Sequence, residues 1–366
     1  MIEESISKRI TSLRWLCIAA VVLVHAAQWF YFQDPGQKHL AGVDFCYEPV
    51  YGWVLDIVLY GVSIGIVPTF FIISGNLHFS KSRKYKDVVV SKTRGLLVPF
   101  LIWTALACLA YLALSPLTGT YREFEFLQSR EPLKWLSSVF GDYSNFFRAG
   151  ATPPLLYQFW FIRDLFIMML VSPLIGWCLR RIPWVYMALC LVPLAFVFVP
   201  VVAPNALFCF SLGGLCAIRK WDFFKFVDKW CPWWLVIAGA VASVICMHML
   251  KDNLHVSGNF LTQLPSFLVY LKISRNIVSN DKAFRLSEKM APQSMFMYCA
   301  HSLLLINIIG LAGVKIFPVD TSWGIVCCML FIFVADVVVC AAAGMFLKKH
   351  SPRVFALLSD GRLKSV

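Results

Sequence analysis

Charge is what this chain has least of: Asp, Glu, Lys and Arg together fill 14% of its 366 positions, against 59% hydrophobic residues and a mean hydropathy of +0.72. So few charges cannot cover a soluble domain, and the composition describes a polytopic membrane protein. No extramembrane stretch is long enough to build a core of its own. A soluble basic domain is therefore missing, which excludes nucleic-acid binding; the net charge of +13 reads as membrane topology and contact with anionic headgroups. There is no CxxC pair, and most of the 13 cysteines sit in apolar stretches as small buried residues, Cys46 alone lying clearly in an outward connection. Rossmann and P-loop glycine patterns, HExxH and paired Cys/His metal spacings are absent, which removes support from metal and nucleotide-hydrolysis mechanisms. No internal repeat is detectable, which weakens a transporter built from inverted halves.

What is present is apolar length. Ten stretches are long enough to cross or nearly cross a bilayer: 15–31, 53–77, 95–114, 156–178, 183–199, 203–218, 232–250, 258–272, 294–316 and 323–347, with 203–218 and 258–272 the shortest. The expectation is an all-α polytopic bundle of about ten transmembrane helices. Basic residues alternate cleanly between the connections: twenty-five of thirty-three fall in one set, made of the N-terminus, 81–94, 180–181, 219–229, 272–289 and the stretch after 348. Because Lys and Arg are retained on the cytoplasmic side, both termini are expected there. The basic flank, apolar run, Ala26 and Ala27 imitate a signal peptide, yet losing them would break the alternation, so a retained first helix explains more. Residues 1–350 read as one integral membrane domain, and 351–366 as a short basic cytoplasmic tail. The 115–155 connection, expected outside, carries Tyr121, Trp135, Tyr143, Phe146 and Phe147 and could pack as a partial lid.

Polar residues at membrane depth are the functional candidates, because hydrocarbon offers them no partner. His25 lies eleven residues beyond Arg14, about 16 Å along a helix. Arg14 is ordinarily a topology anchor, whereas His25 is either a site residue or a satisfied structural histidine. Ser74 and Gly75 suit close helix packing or backbone approach to a ligand. Gln158, Trp160, Arg163 and Asp164 stand at the expected outer end of the fourth stretch, where Arg163 either snorkels or lines a polar cleft; adjacent residues point about 100° apart, so Arg163 and Asp164 cannot be assumed to pair. Tyr298, His301 and Ser302 border one helix groove, Asn307 follows them, and Asp336 is the leading intramembrane acid. Asp336 could face His25, His301 or Arg163.

Six ordered runs carry a resemblance: SLRWLCIAAVVLVH (12–25), FFIISGN (70–76), KTRGLLVPF (92–100), FWFIRDL (159–165), SLGGLCA (211–217) and MFMYCAHSLLL (295–305). Together they resemble the acyltransferase type 3 family of integral membrane O-acyltransferases acting on carbohydrates. Asn76 stands where a Phe is common, and Lys92 with Arg94 replaces a fuller arginine cluster. The resemblance implies transfer of an acyl group, usually acetyl from cytoplasmic acetyl-CoA used as co-substrate, to a hydroxyl of an exported or lipid-linked glycan, in a multi-pass protein of the cell membrane. It implies His25 as the catalytic residue, seconded by His301 and Asp336. Arg14, Arg94, Ser74 and Gly75 would serve the donor, and Trp160, Arg163 and Tyr298 the acceptor. No metal and no permanently bound cofactor are expected. Imidazole suits this chemistry as a base or nucleophile near neutral pH. A transporter or flippase for a glycan is the rival reading, and a membrane sensor without chemistry a third.

Overall fold

Backbone groups that cannot reach water must bond within their own segment, and in a computed structural model of the chain the apolar stretches are helices. The structure describes residues 4–31, 39–40, 43–44, 49–118, 127, 129–141, 154–195, 204–250 and 258–361. Cys46, Tyr121, Tyr143, Phe146 and Phe147 lie outside the described residues, so the lid expected of 115–155 is outside them as well, apart from its helical part. In chain order the helices are α1 Glu4–Tyr31, α2 Pro49–Asp56, α3 Ile64–Phe79, α4 Tyr85–Lys92, α5 Val98–Thr118 and α6 Pro132–Phe140. Then come α7 Trp160–Leu170, α8 Ser172–Arg181, α9 Pro183–Ala195, α10 Pro204–Ile218, α11 Phe223–Trp230 and α12 Trp233–Leu250. The last six are α13 Gly258–Val278, α14 Asp281–Met290, α15 Ser294–Ala300, α16 Ile306–Ile316, α17 Ser322–His350 and α18 Pro352–Leu358. Widened π-type turns at Ile57–Ser63, Thr93–Leu97 and His301–Leu305 join α2 to α3, α4 to α5 and α15 to α16. The one strand pairing among the described residues is the two-residue ladder of His39–Leu40 with Val43–Asp44. The protein is an all-α membrane helix bundle.

Among the described residues, three helices are long and apolar enough to cross a bilayer unbroken, at 4–30, 85–113 and 322–350. The stretch expected as a single span at 156–178 is instead two helices, α7 and α8, meeting at 63°. Val171 is the hinge, and Pro173 starts α8 in the first turn, where its missing N–H costs nothing. The interfacial helix α11 turns by 96° into α12. The apolar stretch 258–272, short by composition, is part of a 21-residue helix that carries its polar end to Val278; at about 1.5 Å per residue it reaches about 31 Å.

The chain divides into two compact units where one domain was expected: residues 1–73 with 220–345, and residues 74–219 with 346–366. In the first unit α1 is core. Leu13, Cys17, Val22, Ala26 and Ala27 are fully buried on it, and these mostly small residues let α13, α15 and α16 approach closely. Arg9 is buried one turn before them. Its guanidinium donates to Asp228 Oδ2 (2.7 Å), the Leu271 carbonyl (2.7 Å) and Ser274 Oγ (3.2 Å), and its carbon lies 4.4 Å from the centre of the Phe224 ring. Composition had made Arg9 one more topology charge. Arg275 approaches the same carboxylate at 3.9 Å, and Lys8 lies 5.9 Å from the Phe284 ring centre. Three connections placed on one side by their basic residues thus meet in this unit. Side-chain caps begin the polar helices of this layer: Asp222 accepts from Lys225 N and Asn280 from Ala283 N.

In the second unit α10 packs against α7, α8 and α9. Of the stretch expected as a tail, residues 351–361 are described and are packed. Helix α18 lies on α5, with Phe355, Ala356 and Ser359 buried and the Trp103 indole donating to the Leu358 carbonyl (2.9 Å). Gly361, at φ +69°, lets the chain close on the Arg94 carbonyl, where a Cβ would come within 2.8 Å of that oxygen.

Replacing Arg9 with Ala strands the Asp228 carboxylate and the Leu271 carbonyl. A loss of about 3–5 kcal/mol is expected, read as a lower melting temperature and reduced recovery of monodisperse protein in detergent, while Lys8→Ala on the exposed side of the same turn leaves both unchanged.

Candidate active site

Two of the candidates meet. The His25 ring, from α1, lies 5.1 Å centre to centre from the His301 ring, the planes tilted by 43°. His301 opens the π turn between α15 and α16, and such single-turn widenings tend to mark functional positions. It is fully buried. Its Nδ1 lies 3.1 Å from the Met297 carbonyl; a carbonyl only accepts, so Nδ1 carries the proton and Nε2 presents a lone pair. That Nε2 is buried without a hydrogen-bond partner among the described residues. The Tyr298 ring completes the row, 6.2 Å from His301.

Helix α1 fixes the height of His25. Arg14 lies eleven residues earlier on the same unbroken helix, about 16 Å away and, at about 100° per residue, within about 20° of the same face. Arg14 is exposed and His25 half-buried. One turn beyond His25, the Trp29 indole donates to Asn307 Oδ1 (3.0 Å). The Trp29 ring lies flush against Gly310, where a Cβ would collide with it, so a glycine on α16 permits the approach of α1 that brings the imidazoles together.

Asp336 does not supply the partner of His25. It is fully buried in the middle of α17, where its Oδ1 accepts from Cys340 Sγ one turn on (3.2 Å) and its Oδ2 has no hydrogen-bond partner among the described residues. The helical spacing of four residues turns the acid towards its own helix. Ser294 and Ser302 likewise keep buried hydroxyls without a described partner.

Arg14, His25, Tyr298, His301 and Asp336 belong to the first unit; Ser74, Gly75, Arg94, Trp160 and Arg163 belong to the second. Gly75 is spent on helix packing, since a Cβ there would collide with the Phe210 carbonyl oxygen of α10. Ser74 is half-buried beside it. Arg94 lies in the π turn before α5.

Arg163 and Asp164, whose adjacency left the pairing open, do pair: Nε donates to Asp164 Oδ1 at 2.9 Å, with Asp164 fully buried. The long Arg163 side chain curls back, and its Nη1 donates to the Phe140 carbonyl (2.9 Å), at the C-terminus of α6 where a cation is favourable. Leu170 receives the Tyr85 hydroxyl (2.8 Å), and from there back to Phe159 is about 16 Å along the helix. Phe159 packs against Phe100 early in α5, and Phe140 stacks on the same ring, each 5.3 Å away. Trp160 opens α7 and is half-buried.

A membrane helix bundle that sets a half-buried imidazole against a fully buried one and leaves one ring nitrogen as an acceptor holds a site suited to proton transfer. The chain belongs to the acyltransferase type 3 family, whose acyltransferase domain matches residues 7–342. It is also similar to the succinoglycan biosynthesis protein ExoH of Rhizobium meliloti (strain 1021), 25% identical over 397 aligned residues covering 98% of this chain and 94% of that protein. No solved structure matches it. The protein is accordingly a membrane acyltransferase.

A methyl group at position 310 tests the packing that seats the pair. Gly310→Ala is expected to cost about 1–3 kcal/mol through overpacking against Trp29, seen as a lower melting temperature, and to be relieved when Trp29→Phe is added.

Proposed function

We propose that the protein is a multi-pass cell-membrane O-acyltransferase that moves an acyl group, acetyl in the first instance, from cytoplasmic acyl-CoA to a hydroxyl of a cell-surface or lipid-linked glycan. The observation that carries this reading is the contact between His25 and His301. The name of the relative, a succinoglycan biosynthesis protein, supports a polysaccharide as acceptor.

An alcohol is a poor nucleophile at neutral pH, so the transfer needs a base at the reacting oxygen. His25 takes the hydroxyl proton as that oxygen attacks the thioester carbonyl carbon. The tetrahedral adduct then collapses, the C–S bond breaks, and the leaving sulfur receives the proton from the imidazolium. Donor and acceptor need not meet at once if His25 first accepts the acyl group on nitrogen, releases the thiol and then passes the group to the hydroxyl. His301, held by Met297, keeps its acceptor nitrogen available for the same proton. Arg14, on the same face of α1 as His25, serves the acyl-CoA donor in this reading, and Arg94 does so in the second unit. Tyr298, beside His301, supplies aromatic surface for a sugar, and Trp160 offers such surface within the second unit. Arg163, engaged with Asp164 and the Phe140 carbonyl, acts by holding α6.

The test is acetyl-CoA turnover by purified protein against a panel of sugars. His25→Ala should lower acceptor-dependent release of CoA by at least about 100-fold while the protein still folds in the membrane, and His301→Ala should fall between that variant and the parent. Full turnover in His25→Ala would sink the assignment. Movement of a glycan across vesicles with no covalent change would establish the transporter reading in its place.

A further inference from the structure

A cavity of about 280 Å³ lies in the second unit between the end of α3, the α3–α4 connection and α8. His78 and Phe79 form an aromatic wall, their rings edge to face at 4.8 Å, and Tyr85 forms another, fixed by its bond to the Leu170 carbonyl. Lys81, Arg83 and Arg180 line the rest. These three cations come from connections nearly a hundred residues apart in sequence, both assigned to the cytoplasmic side by their charge. None of them pairs with a carboxylate among the described residues. Among the described residues, Arg180 makes a hydrogen bond only to the Gly176 carbonyl of its own helix (3.2 Å), which leaves most of its donors open to that set. A topology anchor needs only to be on the correct side of the bilayer. Three uncompensated cations converging on one concavity with an aromatic wall describe a binding site for a flat ring system that carries phosphate.

We infer that this cavity holds the phosphate-bearing nucleotide end of the acyl-CoA donor, with Lys81, Arg83 and Arg180 on its phosphates and the His78, Phe79 and Tyr85 rings against its base. The inference rests on the acyl-CoA reading above. The cavity falls at the small end of ligand pockets, so it takes the nucleotide head and leaves the pantetheine arm and thioester outside it. An anionic lipid headgroup offers the same phosphate chemistry without the base.

The full-length protein in nanodiscs of neutral lipid distinguishes these. Coenzyme A should bind the parent, and Arg83→Ala and Arg180→Ala should each weaken it about tenfold, whereas S-acetylpantetheine, which lacks the nucleotide, should bind parent and variants alike. Arg83→Lys should retain part of the affinity. All three cations are exposed, and Lys81→Ala, with the melting temperature followed alongside, provides a variant that does not disturb α8. Equal coenzyme A binding by the parent and all variants overturns the cavity as the nucleotide site and leaves the acyl-CoA reading standing. A parent that binds no coenzyme A at all overturns both. Variants that lose affinity only for nanodiscs containing phosphatidylglycerol assign the cations to lipid and overturn the inference.

Discussion

Arg9 puts a full positive charge inside the first unit, and much of that unit is arranged to answer it. A guanidinium carries five donors in a rigid fork and cannot shed its charge. Here it gathers a carboxylate from α11, a carbonyl and a hydroxyl from α13, and the face of Phe224. Withdrawing a charge from water costs several kcal/mol unless it is paired and hydrogen-bonded, so α1 can occupy one height and one rotation only. Since α1 is a single unbroken helix, that constraint reaches His25 sixteen positions further on, and with it the ring contact on which the proposed chemistry depends.

The helices around this axis are shaped by exceptions to regular geometry. Each π turn releases a carbonyl or re-aims a side chain. Tyr270 donates to Val62 in the first of them (2.9 Å), and His301 opens the third. Glycines mark where backbones come closest: Gly65 sits 2.6–2.8 Å from atoms of Ser266 at its absent Cβ, Gly75 faces the Phe210 carbonyl and Gly310 faces Trp29. Between helices in lipid there is little hydrophobic driving force, so such contacts and buried hydrogen bonds do the holding. The two units differ in character: the imidazole pair belongs to the first and the open, cationic cavity to the second.

Much of the fold was legible from composition, because apolar length and the placement of Lys and Arg are written residue by residue. His25 was legible for the same reason, as a costly group in an apolar run. The break at Val171 was not, since the stretch is mainly apolar on both sides of it and a hinge between two good helical turns has no compositional mark apart from Pro173. Arg9 was hidden by its neighbours: Lys8 and Arg14 are exposed or partly so, and one basic residue among three reads as an anchor. The signal that could have found it is Asp228, which with Asp222 is one of two acids in an otherwise basic connection.

The sequence by itself determined an all-helical membrane protein, its family, the connections that share a side, and the histidine at which to look, because hydropathy, charge alternation and ordered motifs are local properties. Only the tertiary structure decided that His301 is the neighbour of His25, that Asp336 turns to Cys340, that Arg163 closes on Asp164, and that Lys81, Arg83 and Arg180 share one cavity. Each of those depends on the rotation of one helix against another, which is set by which buried polar groups find partners and where glycines let backbones touch, and no single segment carries that information.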